Sequence, residues 1–353
     1  SYLLQQVYSI SDAAIVGQTL TAQEVAGVND TTSLVFIFLQ FAFGVSAGFC
    51  VVTSCQVGAR NQAGVRRSLA TQIILSAVLT VLLTALALAL LNPMLAWINV
   101  TPAHHEVYTA AHAYCAIIFA GIGAQLFYNF ICSFLRAMGD SVTPLLFLLF
   151  STVLNVGLDL LFIVTFHWGV AGAAIATDIS QLVSCVLSLR FLMKVDADYK
   201  VELSAIRPDQ RMTSRIIRIG LPTGIQNMVI SFSNVLVQSS VNSYGAAAMA
   251  GFAAYMKIDG FNILPVTSFS MAATTFVGQN YGAGNLKRVK NGMWVTLGMG
   301  VLYTLCTGAL LLTFQNPIMH LFTSDETVVA FGCSAMHYFC PFYFLLASLH
   351  GMA

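Results

Sequence analysis

Displaced by 224 positions, the chain aligns with itself without a gap from its first residues to its last. Ala22 meets Ala246, Ala26-Gly27 meets Ala250-Gly251, and Gly58-Ala59-x-Asn61 meets Gly282-Ala283-x-Asn285. Val65 then meets Val289, Asn92-Pro93 meets Asn316-Pro317, and Tyr114 meets Tyr338. The shared residues are mostly small residues and punctuators, which set backbone geometry. Chance pairing of apolar stretches would instead scatter Leu and Val matches. The register therefore marks a duplication, and the fold must consist of two related halves.

Composition says where those halves reside. The chain is 58% hydrophobic and only 8% charged, against roughly 25% charged residues in soluble domains. A helix needs about 20 apolar residues to cross a bilayer. Such stretches occur near 1–20 (partial), 31–56, 68–91, 108–135, 143–166, 170–194, 215–242, 254–279, 292–315 and 328–353, about ten spans in all. The expected fold is an all-α polytopic membrane protein. The eight cysteines fall mostly within apolar spans, without C-x-x-C spacing, and read as small hydrophobic core residues. The net charge of +1 says nothing about nucleic acid, but no basic patch is dense enough to suggest it, and no nucleic-acid partner is expected.

Basic residues set the orientation. All 15 Lys and Arg except Lys257 lie in or beside alternate connections, after spans two, four, six and eight. By the positive-inside rule these connections are cytoplasmic, and so is the amino terminus. The plasma (inner) membrane is the expected location. The domains are expected to be an N-terminal helical bundle over 1–195 (spans one to six), a cytoplasmic linker over 196–213, and a C-terminal bundle over 214–353 (spans seven to ten). An even number of spans per half gives both halves the same orientation. They are then related by a pseudo-twofold axis along the membrane normal, with a cavity between them. In this register Ser214, at the start of span seven, maps about ten positions before Ser1, and Ala353 maps onto Asn129. The expected plan is twelve spans in two six-helix bundles, with part of span one and the last two spans lying beyond this sequence. Without those two helices the chain is not expected to transport.

A charge in hydrocarbon persists only with a partner, in a cavity, or neutralised. Asp12 follows Tyr8 by four and Gln5 by seven, so span one carries three polar groups on one face and no Lys or Arg. Such a carboxyl suits carriage of a proton, or of Na+ together with neighbouring oxygens; the alternative is a hydrogen-bonded structural group. Asn155 and Asp159 stand four apart on span five, where Asp159 could also serve only to orient a neighbour. Asp178 lies on span six beside Thr177, Ser180 and Gln181. The second half shows only Asp259, two residues from Lys257, a spacing that turns about 200° around a helix and separates the pair. The register places Leu236 opposite Asp12, so cation coupling is expected in the first half.

Gly44-x-x-x-Gly48 and Gly169-x-x-Gly172 read as sites of close helix approach. Pro265 and Pro341 fall mid-span and are expected to kink their helices. The seven histidines show no zinc spacing, and no metal other than Na+ at Asp12 is expected. Neither a phosphate loop nor a dinucleotide fingerprint occurs, so neither ATP coupling nor an organic cofactor is expected.

Several segments together resemble the MATE (multidrug and toxic compound extrusion) family of antiporters. They are Asp12-Ala-Ala-Ile-Val-Gly17 with Glu24-Val-Ala-Gly27, Gln56-Val-Gly-Ala59, its echo Gly278-Gln-Asn-Tyr-Gly-Ala-Gly284, and Leu135-Arg-Ala-Met-Gly139 with Pro144. Asn155-x-x-Leu-Asp159, Gly169-Val-Ala-Gly-Ala-Ala-Ile-Ala-Thr177 and Gly220-Leu-Pro222 complete the set. The resemblance implies two helical bundles and export of organic, often cationic, compounds in exchange for H+ or Na+ by alternating access. It implies that Asp12 is the coupling acid, with Asn155 accompanying it; Asp178 matches no motif position of the family. Span seven offers Gln226 and other neutral polar residues where other branches carry acids. Tyr8, Gln5 and Gln226 are the expected substrate contacts. The expected partners are a small organic substrate and the bilayer, with the protein acting as a monomer and not as an enzyme. A flippase for lipid-linked molecules is the alternative, although such cavities usually need cations and the spans supply only Lys257. Major-facilitator transporters share the plan, but Gln62 stands where their loop carries an acid. A membrane enzyme would need a His, Cys or Ser constellation, and none is apparent.

Overall fold

Helix boundaries reproduce the 224-residue register of the sequence. In the computed structural model, which describes residues 15–98, 100, 102, 105–194, 209–242, 244–323 and 325–352, α1 spans Ala22–Gly58 and α2 spans Gln62–Trp97. Their counterparts are α8, Ala246–Gly282, and α9, Leu286–Thr313. Both α1 and α8 contain 37 residues, and the turn that follows each is built alike. Ala59 (φ −73°) and Ala283 (φ −74°) end the two helices. Arg60 (φ 51°) and Gly284 (φ 73°) occupy the left-handed region at equivalent positions. Asn61 and Asn285 then cap the next helix, each side chain accepting from a backbone N–H three residues on. Where the second half places glycine, as left-handed backbone favours, the first half holds an arginine in the same conformation.

Between α2 and α7 lie α3 (His105–Ala120), α4 (Ile122–Ala137), α5 (Val142–Asp159), a π-helical segment Leu160–Thr165, and α6 (Gly169–Lys194). The helix α7 is Gln210–Asn242; α10 (Gln315–His320) and α11 (Glu326–Phe339) follow α9. A 3₁₀ turn, Cys340–Phe342, leads into α12, Tyr343–Met352. No strand occurs among the described residues. Among the described residues, six helical segments are long and apolar enough to cross a membrane, and seven if α3 and α4, bent by 46°, form one span. The equally long α7 and α8 fall outside that set. They carry Gln226, Asn227, Ser231 and Asn234, and Lys257, Asp259 and Asn262, respectively.

The chain divides into two compact units, Ser1–Phe232 and Ser233–Ala353, with the division inside α7. Gly27 in the first unit lies against the α3 backbone, where an added Cβ would sit 2.8 Å from the Val107 carbonyl oxygen. Gly251 in the second lies against α11, 2.6 Å from the Val328 oxygen by the same construction. The paired Asn92 and Asn316 also match, accepting from Tyr108 Oη (3.1 Å) and Cys333 Sγ (3.1 Å) on the helix that follows. Phe119, Leu95, Ala111 and Cys115 pack one core of the first unit, and Phe130, Phe134 and Leu192 another. Phe252, Tyr255, Met319 and Met336 fill the second unit. The expected close approach at Gly44 and Gly48 is present, with Gly224 and Gly220 of α7 opposite.

The two mid-span prolines behave differently. Pro341 interrupts its helix as a 3₁₀ turn. Pro265 stays inside the single helix α8. There the hydroxyls of Thr267 and Ser268 bond back to the carbonyls of Ile263 and Leu264.

Candidate functional site

Span five begins where the Asp140 carboxylate accepts from the N–H groups of Val142 and Thr143, both at 3.0 Å. It continues as α5 to Asp159 and then changes to a π-helix. A π segment widens the turn and often accompanies a functional residue. Asn155 and Asp159 stand on one face of α5, and both are fully buried, at 0% exposure. Opposite them, α6 starts at Gly169 with φ 58°. Its small residues Gly172, Ala173 and Ala174 are buried, with Gly172 close to the Phe162 backbone of the π segment. That approach brings Thr177 against α5, and Asn155 Nδ2 donates to Thr177 Oγ1 at 3.5 Å.

A polar seam extends from this cluster. Ser180, Gln181, Ser184 and Ser188 are buried along α6, and Ser151 and Thr152 along α5. Ser151 Oγ donates to the Ser180 carbonyl at 3.4 Å, and Ser180 Oγ to the Thr177 carbonyl at 2.8 Å. Asn155 Oδ1, Gln181 Oε1 and Ser184 Oγ are buried without a hydrogen-bond partner. In hydrocarbon such a concentration of oxygen is costly unless it binds something. The seam combines one carboxylate, two amide oxygens and hydroxyls, a donor set suited to a proton or a hard monovalent cation.

Asn155 and Asp159, expected together on span five, lie on one buried face. Asp178, expected with them, lies elsewhere. Its carboxyl rests on Gly121, at the break between α3 and α4, where an added Cβ would collide with the Asp178 carboxyl. One residue beyond Thr177, Asp178 turns about 100° around α6 and meets a different helix. Gln226 is on α7 and exposed. Asp12, Tyr8 and Gln5 lie outside the described residues. Thr177, Gln181 and Ser184 were not singled out as site residues, although their i, i+4, i+7 spacing marks one helical face.

A duplicated, polytopic all-α fold with a buried polar seam in apolar helices defines the class as a membrane transporter. A family model described as MatE matches residues 1–161 and 222–350. The probable multidrug resistance protein YpnP of Bacillus subtilis is 32% identical over 341 residues, covering 96% of this chain and 75% of the relative. The probable multidrug resistance protein NorM of Thermotoga maritima is 27% identical over 351 residues, covering 98% and 74%. A solved multidrug resistance MATE transporter of the MOP superfamily, in an outward-facing conformation, has the same fold at 24% identity and a TM-score of 0.86, covering 99% of this chain and 79% of that one. The chain belongs to the MatE family of multi-pass membrane transporters.

Proposed function

We propose that the protein exports organic, often cationic, compounds across the plasma membrane in exchange for H+ or Na+ by alternating access, with its amino terminus in the cytoplasm. The supporting observation is the fully buried pair Asn155 and Asp159 on α5, with Asn155 donating to the half-buried Thr177 of α6. It offers an acid, an amide and a hydroxyl to a cation within the first repeat. The names of the similar proteins, multidrug resistance proteins in two bacteria, support the substrate class. Asp12 completes the proposed coupling set through the family motif it matches. In this reading, occupancy of the acids by H+ or Na+ neutralises them and changes the packing of span one, which favours substrate release outward. One elementary charge moving across 100 mV supplies about 2.3 kcal/mol. Substrate contacts are assigned to Tyr8, Gln5 and Gln226.

The test is counterflow of a cationic dye in proteoliposomes with proton and sodium gradients imposed separately. Dye accumulation driven by one gradient and abolished in Asp12→Asn is the expected result. Dye movement indifferent to both gradients contradicts it.

A further inference from the structure

The second unit holds a carboxylate of its own that the coupling scheme leaves unused. Asp259 lies on α8, half-buried. Tyr255, one turn earlier on the same face, is 2% exposed, and its hydroxyl donates to Asp259 Oδ1 at 3.4 Å. Tyr343, 5% exposed at the start of α12, meets Tyr255 hydroxyl to hydroxyl at 3.1 Å. Asn262, 7% exposed and three residues beyond Asp259, has a buried Oδ1 with no hydrogen-bond partner. Positions 255, 259 and 262 fall within about 60° of one another around the helix, so these oxygens share one face. Lys257 is exposed, and no ion pair joins it to Asp259.

We propose that Asp259, Tyr255, Tyr343 and Asn262 form a second cation site, selective for a monovalent ion of the Na+ type. All the donors are oxygens, the preference of hard cations. The site carries a single negative charge, so one positive charge neutralises it, whereas a divalent ion would leave net charge in an apolar unit. The two tyrosines share one hydrogen bond, which leaves a lone pair on each hydroxyl for an ion. The long 3.4 Å contact to Asp259 is weak and readily exchanged for one to a cation. Tyr343 begins the helix after the Cys340–Phe342 turn, so an ion held here ties the end of span ten to α8. The site rests on the geometry of the second unit alone and stands or falls apart from the role of the first-unit acids.

The experiment is ²²Na+ binding to purified protein with choline as the replacement ion, with Na+-dependent melting as a second readout. Asp259→Asn is expected to remove one bound Na+ per chain at saturation and to lower the Na+-induced rise in melting temperature, both in the wild-type background and in Asp159→Asn. Tyr343→Phe is expected to weaken this binding roughly tenfold. It preserves shape, so it and Asn262→Leu decide the matter if Asp259→Asn does not fold, as judged by elution and melting in choline. Unchanged Na+ occupancy in these variants, or loss of all Na+ binding in Asp159→Asn, overturns the site.

Discussion

Gly251→Ala tests the duplicated architecture quantitatively. A β-carbon there would lie 2.6 Å from the Val328 carbonyl oxygen, 2.8 Å from Phe331 Cβ and 2.9 Å from the Gly332 nitrogen. Non-bonded heavy atoms attract near ~3.5 Å, so the nearest contact is short by roughly 0.9 Å. Two of the three obstacles are backbone atoms, which no rotamer change moves, and α8 must part from α11. Overpacking of this kind costs about 1–3 kcal/mol. Alanine returns about 1 kcal/mol of helix propensity, leaving a net loss of up to about 2 kcal/mol, and the two backbone obstacles put this site at the upper end. At about 2–4 °C per kcal/mol, a loss of about 2 kcal/mol lowers the melting temperature by about 4–8 °C. Gly27→Ala, at the equivalent position, meets the Val107 oxygen at 2.8 Å and Ala111 nitrogen at 3.1 Å, so it should lose less. Gly298 has no atom within 4 Å of an added β-carbon, so Gly298→Ala should gain slightly. Melting followed by fluorescence-detected size exclusion gives the order Gly251→Ala, Gly27→Ala, wild type, Gly298→Ala, from least to most stable. A Gly251→Ala protein that melts at or above wild type would refute the close approach of α8 and α11.

Other consequences follow from particular contacts. Gln72 Nε2 lies within hydrogen-bond reach of the Phe49 carbonyl (3.2 Å), Thr53 Oγ1 (2.7 Å) and Ser68 Oγ (2.8 Å) in a buried network between α1 and α2. Gln72→Leu should cost about 1–3 kcal/mol, and melting no lower than wild type would show that the network carries no stability. Asp209 accepts from the N–H groups of Met212 and Arg211 and faces Arg67 at 3.8 Å, which hold its carboxyl below the usual 3.8. Its stabilisation is therefore complete above pH ~4 and lost as pH falls through the depressed value. Hydrogen exchange in the first turn of α7 should accelerate on that acidification in wild type but not in Asp209→Ala, and parallel profiles would contradict this. Thr177→Val keeps the shape of α6 but removes the Asn155 contact. Coupling-ion affinity should fall about fivefold, the equivalent of a ~1 kcal/mol hydrogen bond, as read from the ion dependence of dye transport; an unchanged dependence would remove Thr177 from the site.

Much of the backbone was legible because small residues and punctuators dictate it locally. The turn after Gly58 and its copy after Gly282 are fixed by Asn61 and Asn285, and the helix limits fall in the register those residues predict. The bend at Gly121 was not legible, because glycine within an apolar span is often simple packing. Its role becomes visible only with Asp178, 57 positions later, resting on it. The π segment after Asp159 depends on how α6 packs beside it, which no local pattern in Leu160–Thr165 announces. The same limit explains Asp178. Proximity in sequence to Thr177 grouped it with the seam, while one step of helix rotation carries it to another neighbour.

In the proposed function a buried acid of the first repeat exchanges a cation for substrate. This exchange is tested most directly by measuring gradient-driven and downhill dye transport side by side in proteoliposomes of wild type and Asp159→Asn. The account predicts that Asp159→Asn still lets dye equilibrate down its own gradient but no longer accumulates it against one when a proton or sodium gradient is imposed. Accumulation equal to wild type under the same ion gradient would contradict it.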